Sequence, residues 1–460
     1  MLSKEDNELI TNTDRGTPMG EFFRRFWLPA ALSEELPGPD SVPLRVKLLG
    51  EDLIAFRDTD GSVGLIDAYC PHRGAPMFFG RNEENGLRCV YHGWKFDVNG
   101  ECTDLPNAPE GDTFRHKIHI KSYACEDKGG LIWAYMGPAE KKPPVPDFEW
   151  CKLPAKNRYV TKFIMECNYL QAMEGDYDPS HGRFLHSTLD GNRNEIATFG
   201  NQNQVSTTFA PRELGSNQMF DSMGDRRVNV KLPDQMEDSA SGILFITASE
   251  QKDGRMGAQI GPWMMPIFTT AGIAKPNTYS SNMRIPVDNK NILFYRLRWS
   301  YAEIPDEDLQ EYKHGGYTFP ELIPGSWQGI NNVHNDYGVD RVAQKYFTFT
   351  GIKTFPLQDI AMMENQWGPL ADRTLEHLTS LDHRIIYVRR RLLQGAKALM
   401  GGTEPDEPWH PEAYAYHAAS VVLPAGSTLD EAVDAARNKM KTSGIGPAIF
   451  SGAQAPAITT

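Results

Sequence analysis

From Leu44 to about Met136 the chain runs in short β-rich stretches, among them LRVKLL, LIAFRD, SVGLIDAYC and GLIWAYM, broken by Gly and Asp-Gly steps. That texture predicts a small all-β domain over residues 41–140. Ahead of it, Met19 to Trp27 reads as an amphipathic helix stopped by Leu28-Pro29, so residues 1–40 are expected to be a helical segment. Behind it, Pro138, Pro143, Pro144 and Pro146 interleave with Lys141 and Lys142. Proline continues neither a helix nor a central strand, so 141–150 is expected to be an exposed linker. Further on, Asn168 to Glu174 looks helical and strand-like runs (SGILFITASE, SNMRIPV, ILFYRLRWS) alternate with loops. In His383 to Met400 the apolar residues Ile385, Val388, Leu392, Ala396 and Leu399 recur at helical steps, and Thr428-x-x-Glu431 spells a capping box before another helix. Strands and helices without regular βαβ alternation predict an α+β chain, with a second domain over 151–400 and a C-terminal extension over 401–460.

Composition removes several classes of function. Of 460 residues, 40% are hydrophobic and 23% charged, the balance of a folded globular protein. Lys+Arg 47 against Asp+Glu 60 leaves a net charge of −13 with no long basic run, which argues against nucleic acid as a partner. The charged start MLSKEDNELI is unlike a secretory leader, and no apolar run has bilayer-spanning length, so no membrane is expected and a cytoplasmic setting is. Six cysteines are too sparse for a disulfide scaffold; as ligands or buried apolar residues they must be judged by spacing.

Four of the possible ligands form a pattern. Cys70-Pro71-His72 and Cys89-Val90-Tyr91-His92 give C-x-H, sixteen residues, then C-x2-H, each histidine followed closely by a glycine, Gly74 or Gly93. Equal numbers of thiolate and imidazole suit tetrahedral zinc, or a [2Fe-2S] cluster with one iron held by each ligand type. The stretch CPHRGAP to CVYHGWKFDVNGECTDLP resembles the Rieske [2Fe-2S] motif of ring-hydroxylating oxygenases. The resemblance implies that Cys70 and Cys89 hold one iron and His72 and His92 the other. The extra cysteines that cross-link respiratory Rieske loops have no counterpart here, and Asn99-Gly100 offers a hairpin turn just after the second loop.

A second pattern follows the first. Asp178, His181 and His186 form D-x2-H-x4-H directly after the predicted helix. On a helix Asp178 and His181 would share a face, whereas His186 would be turned off it by about 140°, so the helix must bend or end, and Gly182 allows that. Two imidazoles brought together this way supply two corners of a 2-His-1-carboxylate site for non-haem Fe(II). For the carboxylate, Asp359 at the start of a candidate helix is favoured, with Glu364 and Asp372 as rivals. QDIAMMENQWGPLADRTLEHL is similar to the carboxylate-bearing segment of the phthalate-dioxygenase-like branch, at its first Asp.

That resemblance, running from about residue 20 to 400, carries further expectations. It implies an oxygenase subunit whose Rieske domain precedes a helix-grip (START-like) catalytic domain. Its cofactors would be a [2Fe-2S] cluster and mononuclear Fe(II). It also implies an α3 homotrimer in which Asp178 bridges His92 of the partner subunit to His181. Electrons would come from an NAD(P)H-dependent flavin and iron–sulfur reductase, or a ferredoxin, and O2 would be used on an aromatic substrate. An aromatic carboxylate is expected, with ring hydroxylation or dihydroxylation as the reaction and O-demethylation of a methoxylated aromatic acid as the alternative. Arg212, Arg226, Arg255, Arg284, Arg296 and Arg298 are chemically able to hold a carboxylate, and Trp263, Met264, Met265 and Phe268 read as pocket wall or core. Arg73, Arg88 and Lys95 are candidates for a docking face. Asn289-Lys290-Asn291 stands where an acidic residue and His-Thr are expected, a hint of a divergent substrate. Two competing readings stay open at this point: a non-enzymatic Rieske electron carrier and a zinc-stabilised binding module.

Overall fold

The computed structural model describes residues 2–109, 113–178, 180–186, 234–250, 253–272, 278–314 and 318–441. Two short helices open the chain, α1 (Lys4–Thr11) and α2 (Pro18–Phe23). Each is started by a side-chain cap, Ser3 Oγ accepting from Asp6 N–H and Thr17 Oγ1 from Gly20 N–H. The amphipathic stretch therefore stops at Phe23 rather than Trp27. Trp27–Leu32 is a buried strand, β1, and Pro29 is tolerated because the pairing register shifts beside it. Residues 1–40 are thus only partly helical, and their strand belongs to the first sheet.

Nine more strands follow: β2 (Leu44–Leu48), β3 (Glu51–Arg57), β4 (Val63–Asp67), β5 (Arg81–Asn82), β6 (Leu87–Arg88), β7 (Lys95–Phe96), β8 (Cys102–Asp104), β9 (Ser122–Lys128) and β10 (Leu131–Tyr135). They form a six-stranded antiparallel sheet in the order β1-β10-β9-β4-β3-β2 and a small four-stranded one, β5-β6-β7-β8. At the edge, β2 buries Val46 and Leu48 and exposes Arg45 and Lys47, whereas β10, between β1 and β9, is buried throughout. That difference in neighbours is why one strand alternates and the other is continuously apolar.

Residues 141–150 are no exposed linker. Pro143, Pro146, Phe148 and Trp150 are buried, and Trp27 Nε1 donates to Pro143 O at 2.9 Å. Phe148 packs among Trp133, Trp150, Phe268 and Tyr414 with ring centroids between 5.3 and 5.7 Å away. The prolines hold the connector extended while its aromatic end joins it to the core of both halves.

The second half comprises α3 (Glu149–Lys152), β11 (Arg158–Met165), α4 (Tyr169–Glu174), α5 (Gly182–Leu185), β12 (Asp234–Ser239), β13 (Gly242–Glu250), β14 (Met256–Met264), β15 (Phe268–Gly272), β16 (Thr278–Asp288), β17 (Asn291–Ser300), α6 (Asp306–His314), α7 (Arg341–Tyr346), α8 (Phe355–Met363), α9 (His383–Met400), β18 (Ala419–Leu423) and α10 (Leu429–Lys441). Its antiparallel sheet runs β11-β17-β16-β15-β14-β13-β12, and β18 pairs with Met256–Ile260 of β14. Residues 401–441 are therefore no appendage. The helix α10, opened by reciprocal hydrogen bonds between Thr428 and Glu431, packs Ala432, Val433, Ala436 and Met440 onto that edge. The long helix α9 buries Ile385, Val388, Leu392 and Ala396, and its Arg384 and Tyr387 donate to Thr247 and Asp238 of the sheet. The architecture is α+β, a β domain followed by a sheet-rich domain with helices. All six cysteines are free, and no helix among the described residues is long and apolar enough to cross a membrane.

Candidate metal centres

The two Cys/His loops share one hydrogen-bond plan. Cys70 N–H donates to Ala75 O at 2.8 Å and Gly74 N–H to Cys70 O at 2.9 Å; Cys89 N–H donates to Trp94 O at 2.8 Å and Gly93 N–H to Cys89 O at 3.0 Å. Each loop closes on itself within six residues, which only a left-handed residue permits, and Gly74 and Gly93 sit at φ +69° and +79°. The loops bring His72 and His92 together with ring centroids 4.4 Å apart. His72 lies flat against Trp94, 8° from parallel at 4.3 Å, and Trp94 Nε1 is held by Asn107 Oδ1 at 2.9 Å.

The electrostatics of these loops suit metal ligands. Burial and the adjacent Cys89 push the Cys70 thiol up to about 11, against a backbone hydrogen bond from His72. Burial, with the charges of His72 and Arg73, lowers His92, keeping its imidazole neutral. His72 Nδ1 is buried and has no hydrogen-bond partner. Buried thiols and an orphaned buried ring nitrogen are the donor set of a metal site. Among the described residues, the one group of three or more such side chains whose donor atoms all lie within 4.8 Å of one another is elsewhere, so these four do not close around a single zinc ion.

That other group is His181, His186 and Asp359. Asn168 caps α4, Oδ1 accepting from Leu170 N–H at 3.1 Å, and the helix ends at Glu174. Asp178 lies beyond it, and His181 and His186 stand at the two ends of the one-turn helix α5. The segment is thus a turn followed by a new helix that Gly182 begins, rather than one helix bending there. Asp359 is the fifth residue of α8 and not at its start, so the helix dipole is no part of its placement. Packing brings its Oδ1 to 3.2 Å from His186 Nε2 and 3.6 Å from His181 Nε2.

Hydrogen bonds set the two imidazole tautomers. Gln358 Nε2 donates to Ile352 O at 2.9 Å, which fixes the amide and turns Oε1 to His186 Nδ1 at 2.7 Å. His186 therefore carries its proton on Nδ1 and presents a lone pair on Nε2. His181 Nδ1 likewise gives its proton to Asp178 O at 3.1 Å, with Asp178 Oδ2 at 3.5 Å. With both imidazoles neutral, as metal ligands must be, two lone pairs face Asp359 Oδ1, a buried oxygen with no hydrogen-bond donor. Electron-rich atoms converging out of water call for a cation between them. Burial alone would raise Asp178 and lower His181; their mutual hydrogen bond, with Ser180 N–H and Oγ on Asp178 Oδ1, outweighs it and holds Asp178 down at about 2 and His181 above its usual range.

Comparison with known proteins accounts for both regions. Residues 26–124 match the Rieske [2Fe-2S] domain and residues 260–418 the family described as LigXa C-terminal domain like. Over 405 residues the chain is 35% identical to the phthalate 4,5-dioxygenase oxygenase subunit of Pseudomonas putida, covering 87% of this chain and 88% of that one. The chain belongs to the Rieske non-haem iron oxygenases. Over 415 residues this oxygenase subunit is also 40% identical to the 5,5'-dehydrodivanillate O-demethylase oxygenase subunit of Sphingobium sp., covering 88% and 83% of the two chains. Dicamba monooxygenase bound to dicamba has the same fold, with TM-score 0.55 and 17% identity over 83% of this chain and 100% of that one. An oxygenase subunit of this family is an oxidoreductase that carries a Rieske cluster and a mononuclear iron and receives electrons from a redox partner. A carrier without catalysis and a zinc module are both set aside.

Rival carboxylates do not join the triad: Glu364 accepts from Tyr337 Oη at 2.6 Å and from Glu166 N–H, and Asp372 accepts from Thr374. Arg88 and Lys95 are braces of this Rieske fold, Arg88 reaching Glu83, Asp104 and Gly93 O, and Lys95 reaching Glu84; Arg73 lies near the Tyr91 ring. Asn289 ties the β16–β17 turn to Asn12, Thr13 and Asp14, so its departure from the expected residues concerns the N-terminal seam and gives no hint about substrate. Arg255 pairs with Asp253 at the surface, while Arg212 and Arg226 lie outside the described residues. Trp263, Met264, Met265 and Phe268 are buried core, Trp263 Nε1 donating to Met173 Sδ. Sequence reasoning missed Gln358 and Phe355, whose ring stacks on His186 at 3.7 Å. A buried glutamine next to Asp359 on an otherwise apolar helix was the signal available.

Proposed function

We propose that this oxygenase subunit hydroxylates an aromatic carboxylate with O2, using His181, His186 and Asp359 as iron ligands and Cys70, Cys89, His72 and His92 as cluster ligands. The observation that carries the reading is the inward-facing triad, three donor atoms within 4.8 Å with both imidazole lone pairs turned toward the carboxylate. When bound, the cluster supplies electrons singly and the iron supplies open positions for O2. The protein's part is orientation. Gln358 holds His186 in one tautomer, Phe355 holds its ring plane, and Asp178 holds His181 by Nδ1 and keeps a full negative charge beside it.

Electrons come from an NAD(P)H-dependent flavin and iron–sulfur reductase, or a ferredoxin, in the cytoplasm. The active form is an α3 ring in which Asp178 accepts a hydrogen bond from His92 of the partner subunit. Surface composition supports that ring. Around the cluster loops Tyr69, Val90 and Tyr91 are 52%, 57% and 55% exposed, an apolar rim suited to being covered. The triad side also exposes Phe184, Phe349 and Phe355.

The relatives' names support two reactions at this site, ring dihydroxylation of a phthalate and O-demethylation of a methoxylated aromatic acid. A screen of phthalates and methoxylated benzoates with a competent reductase, scoring diol against formaldehyde, separates them. Asp178→Asn is expected to retain both metal centres and lose at least about 100-fold in turnover, since a neutral amide cannot serve two imidazole N–H groups as the carboxylate does. Undiminished turnover in that variant removes the bridging role.

A further inference from the structure

One face of the second sheet holds more positive charge than carboxylates to meet it. The register of β16 and β17 pairs Arg284 with Phe294, Asn282 with Arg296 and Ser280 with Arg298, so three guanidiniums rise from the same side. Arg284 has a counter-ion. Its two terminal nitrogens take both oxygens of Asp176, which also accepts from Thr269 Oγ1 and, at 3.4 Å, from Asn282 Nδ2. That pair anchors the turn two residues ahead of Asp178 and neutralises the guanidinium, although its buried Nε has no acceptor.

Arg296 and Arg298 are different. They are 9% and 8% exposed, and neither forms an ion pair with any carboxylate among the described residues. Among the described residues Arg296 gives one hydrogen bond, from Nη1 to Thr318 O at 3.1 Å; its Nε and Arg298 Nη1 are buried with no acceptor. Both guanidiniums lie over the Phe319 ring, at 5.6 and 5.8 Å from its centroid. Arg296 stands across the strand pair from Asn282, whose Nδ2 reaches Asp176, so it faces the segment that leads into Asp178 and His181. Burial first, then the neighbouring Arg298, pulls Arg296 down to about 9, so at neutral pH it is still a cation.

Folding alone does not favour two adjacent buried cations with open donors, because an apolar pair of similar size would avoid their desolvation and mutual repulsion. An anion arriving between them would satisfy the open donors and cancel the repulsion. We infer that Arg296 and Arg298 together receive the carboxylate of the aromatic substrate and thereby orient its ring toward the triad. This deepens the function proposed above and rests on it. It assigns the acid specificity to two residues of β17, and a neutral ester or amide of the same ring would leave both cations uncompensated.

The test is calorimetric titration of the full-length, iron-loaded protein with 3-methoxybenzoate, phthalate and 3-methoxybenzamide, without turnover. Wild type is expected to bind at least one acid, and 3-methoxybenzoate about 30-fold or more tighter than the amide. Arg296→Gln and Arg298→Gln should each weaken acid binding by about 10-fold or more while changing amide binding little. Arg296→Met should raise the melting temperature of the ligand-free protein, because it removes an uncompensated charge, and should abolish the further rise that the acid gives wild type. Wild type that binds no acid, or acid and amide equally, overturns the inference, as do Gln variants that hold the acid as wild type does. A lowered melting temperature in Arg296→Met overturns it too, by making the arginine structural. Gln variants that hold the acid as wild type does overturn the arginine site and leave the function proposed above standing, whereas wild type that binds no acid, or that holds no mononuclear iron, removes that function as well.

Discussion

In the β half, the four side chains proposed as cluster ligands arise from two loops between residues 70 and 92 that close on their own backbones through Cys-to-carbonyl hydrogen bonds. In the catalytic half, two histidines flank one short helix and the carboxylate arrives from α8, 359 − 186 = 173 residues further on. The first arrangement is held by backbone geometry, the second by contacts to its side chains, above all by Gln358 Oε1 on His186 and by the carbonyl of Asp178 on His181, with the Asp178 carboxylate at 3.5 Å. A site of the first kind needs its glycines; a site of the second needs the packing of distant helices. The two should therefore fail separately and for different reasons.

The largest effects should come from removing ligands. Asp359→Ala or His186→Ala is expected to lower iron from about three to about two per chain and turnover by about 1,000-fold or more, with the reduced cluster's paramagnetic signal unchanged. Cys89→Ser should do the reverse, losing the cluster and keeping the mononuclear iron. Metal analysis showing that either substitution empties both sites would break the separation. Next in size is Gln358→Leu, which frees the His186 tautomer and should weaken Fe(II) binding about 10- to 100-fold by titration, with Gln358→Glu recovering much of it.

The backbone-built site responds to a methyl group. At Gly93, a Cβ would stand 2.6 Å from Pro106 Cγ at φ +79°, whereas at Gly74 nothing lies within 4 Å at φ +69°. Gly93→Ala should thus destabilise the cluster half by more than the roughly 1 kcal/mol of left-handed strain expected for Gly74→Ala, read from thermal bleaching of the cluster colour. The smallest effect is a pH dependence. Burial, reinforced by the neighbouring Asp60, raises Asp58 to about 6. Its folded value lies above its unfolded one, so its favourable contribution is complete below about pH 4 and is lost as pH rises through 6. Asp58→Asn should leave the melting temperature unchanged at pH 4 and raise it at pH 8, by an amount corresponding to about 1 kcal/mol or less.

Legibility followed the range of the interactions. The Thr428–Glu431 capping box, the helix over His383–Met400 and the Asn99-Gly100 turn are written in neighbouring residues, and the structure has them. The Pro-rich connector misled because proline content reports backbone stiffness and not burial; Phe148 and Trp150 decide burial, through partners far along the chain. Residues 401–441 looked peripheral because β18 finds its place only by pairing with β14. Asp359 is favoured in the sequence by the resemblance of its segment, while the helix start expected for it is absent: it sits mid-helix and meets the histidines through packing.

Ligand types, their local spacing and the glycines that shape each loop were determined by sequence alone, because a C-x-H step and a positive φ are properties of consecutive residues. Tertiary structure decided which carboxylate faces His181 and His186, which nitrogen of each imidazole is turned toward it, and which arginines have no counter-ion among the described residues. Each of those depends on dielectric surroundings and on partners more than a hundred residues away, and no window along the chain contains both sides of such a contact.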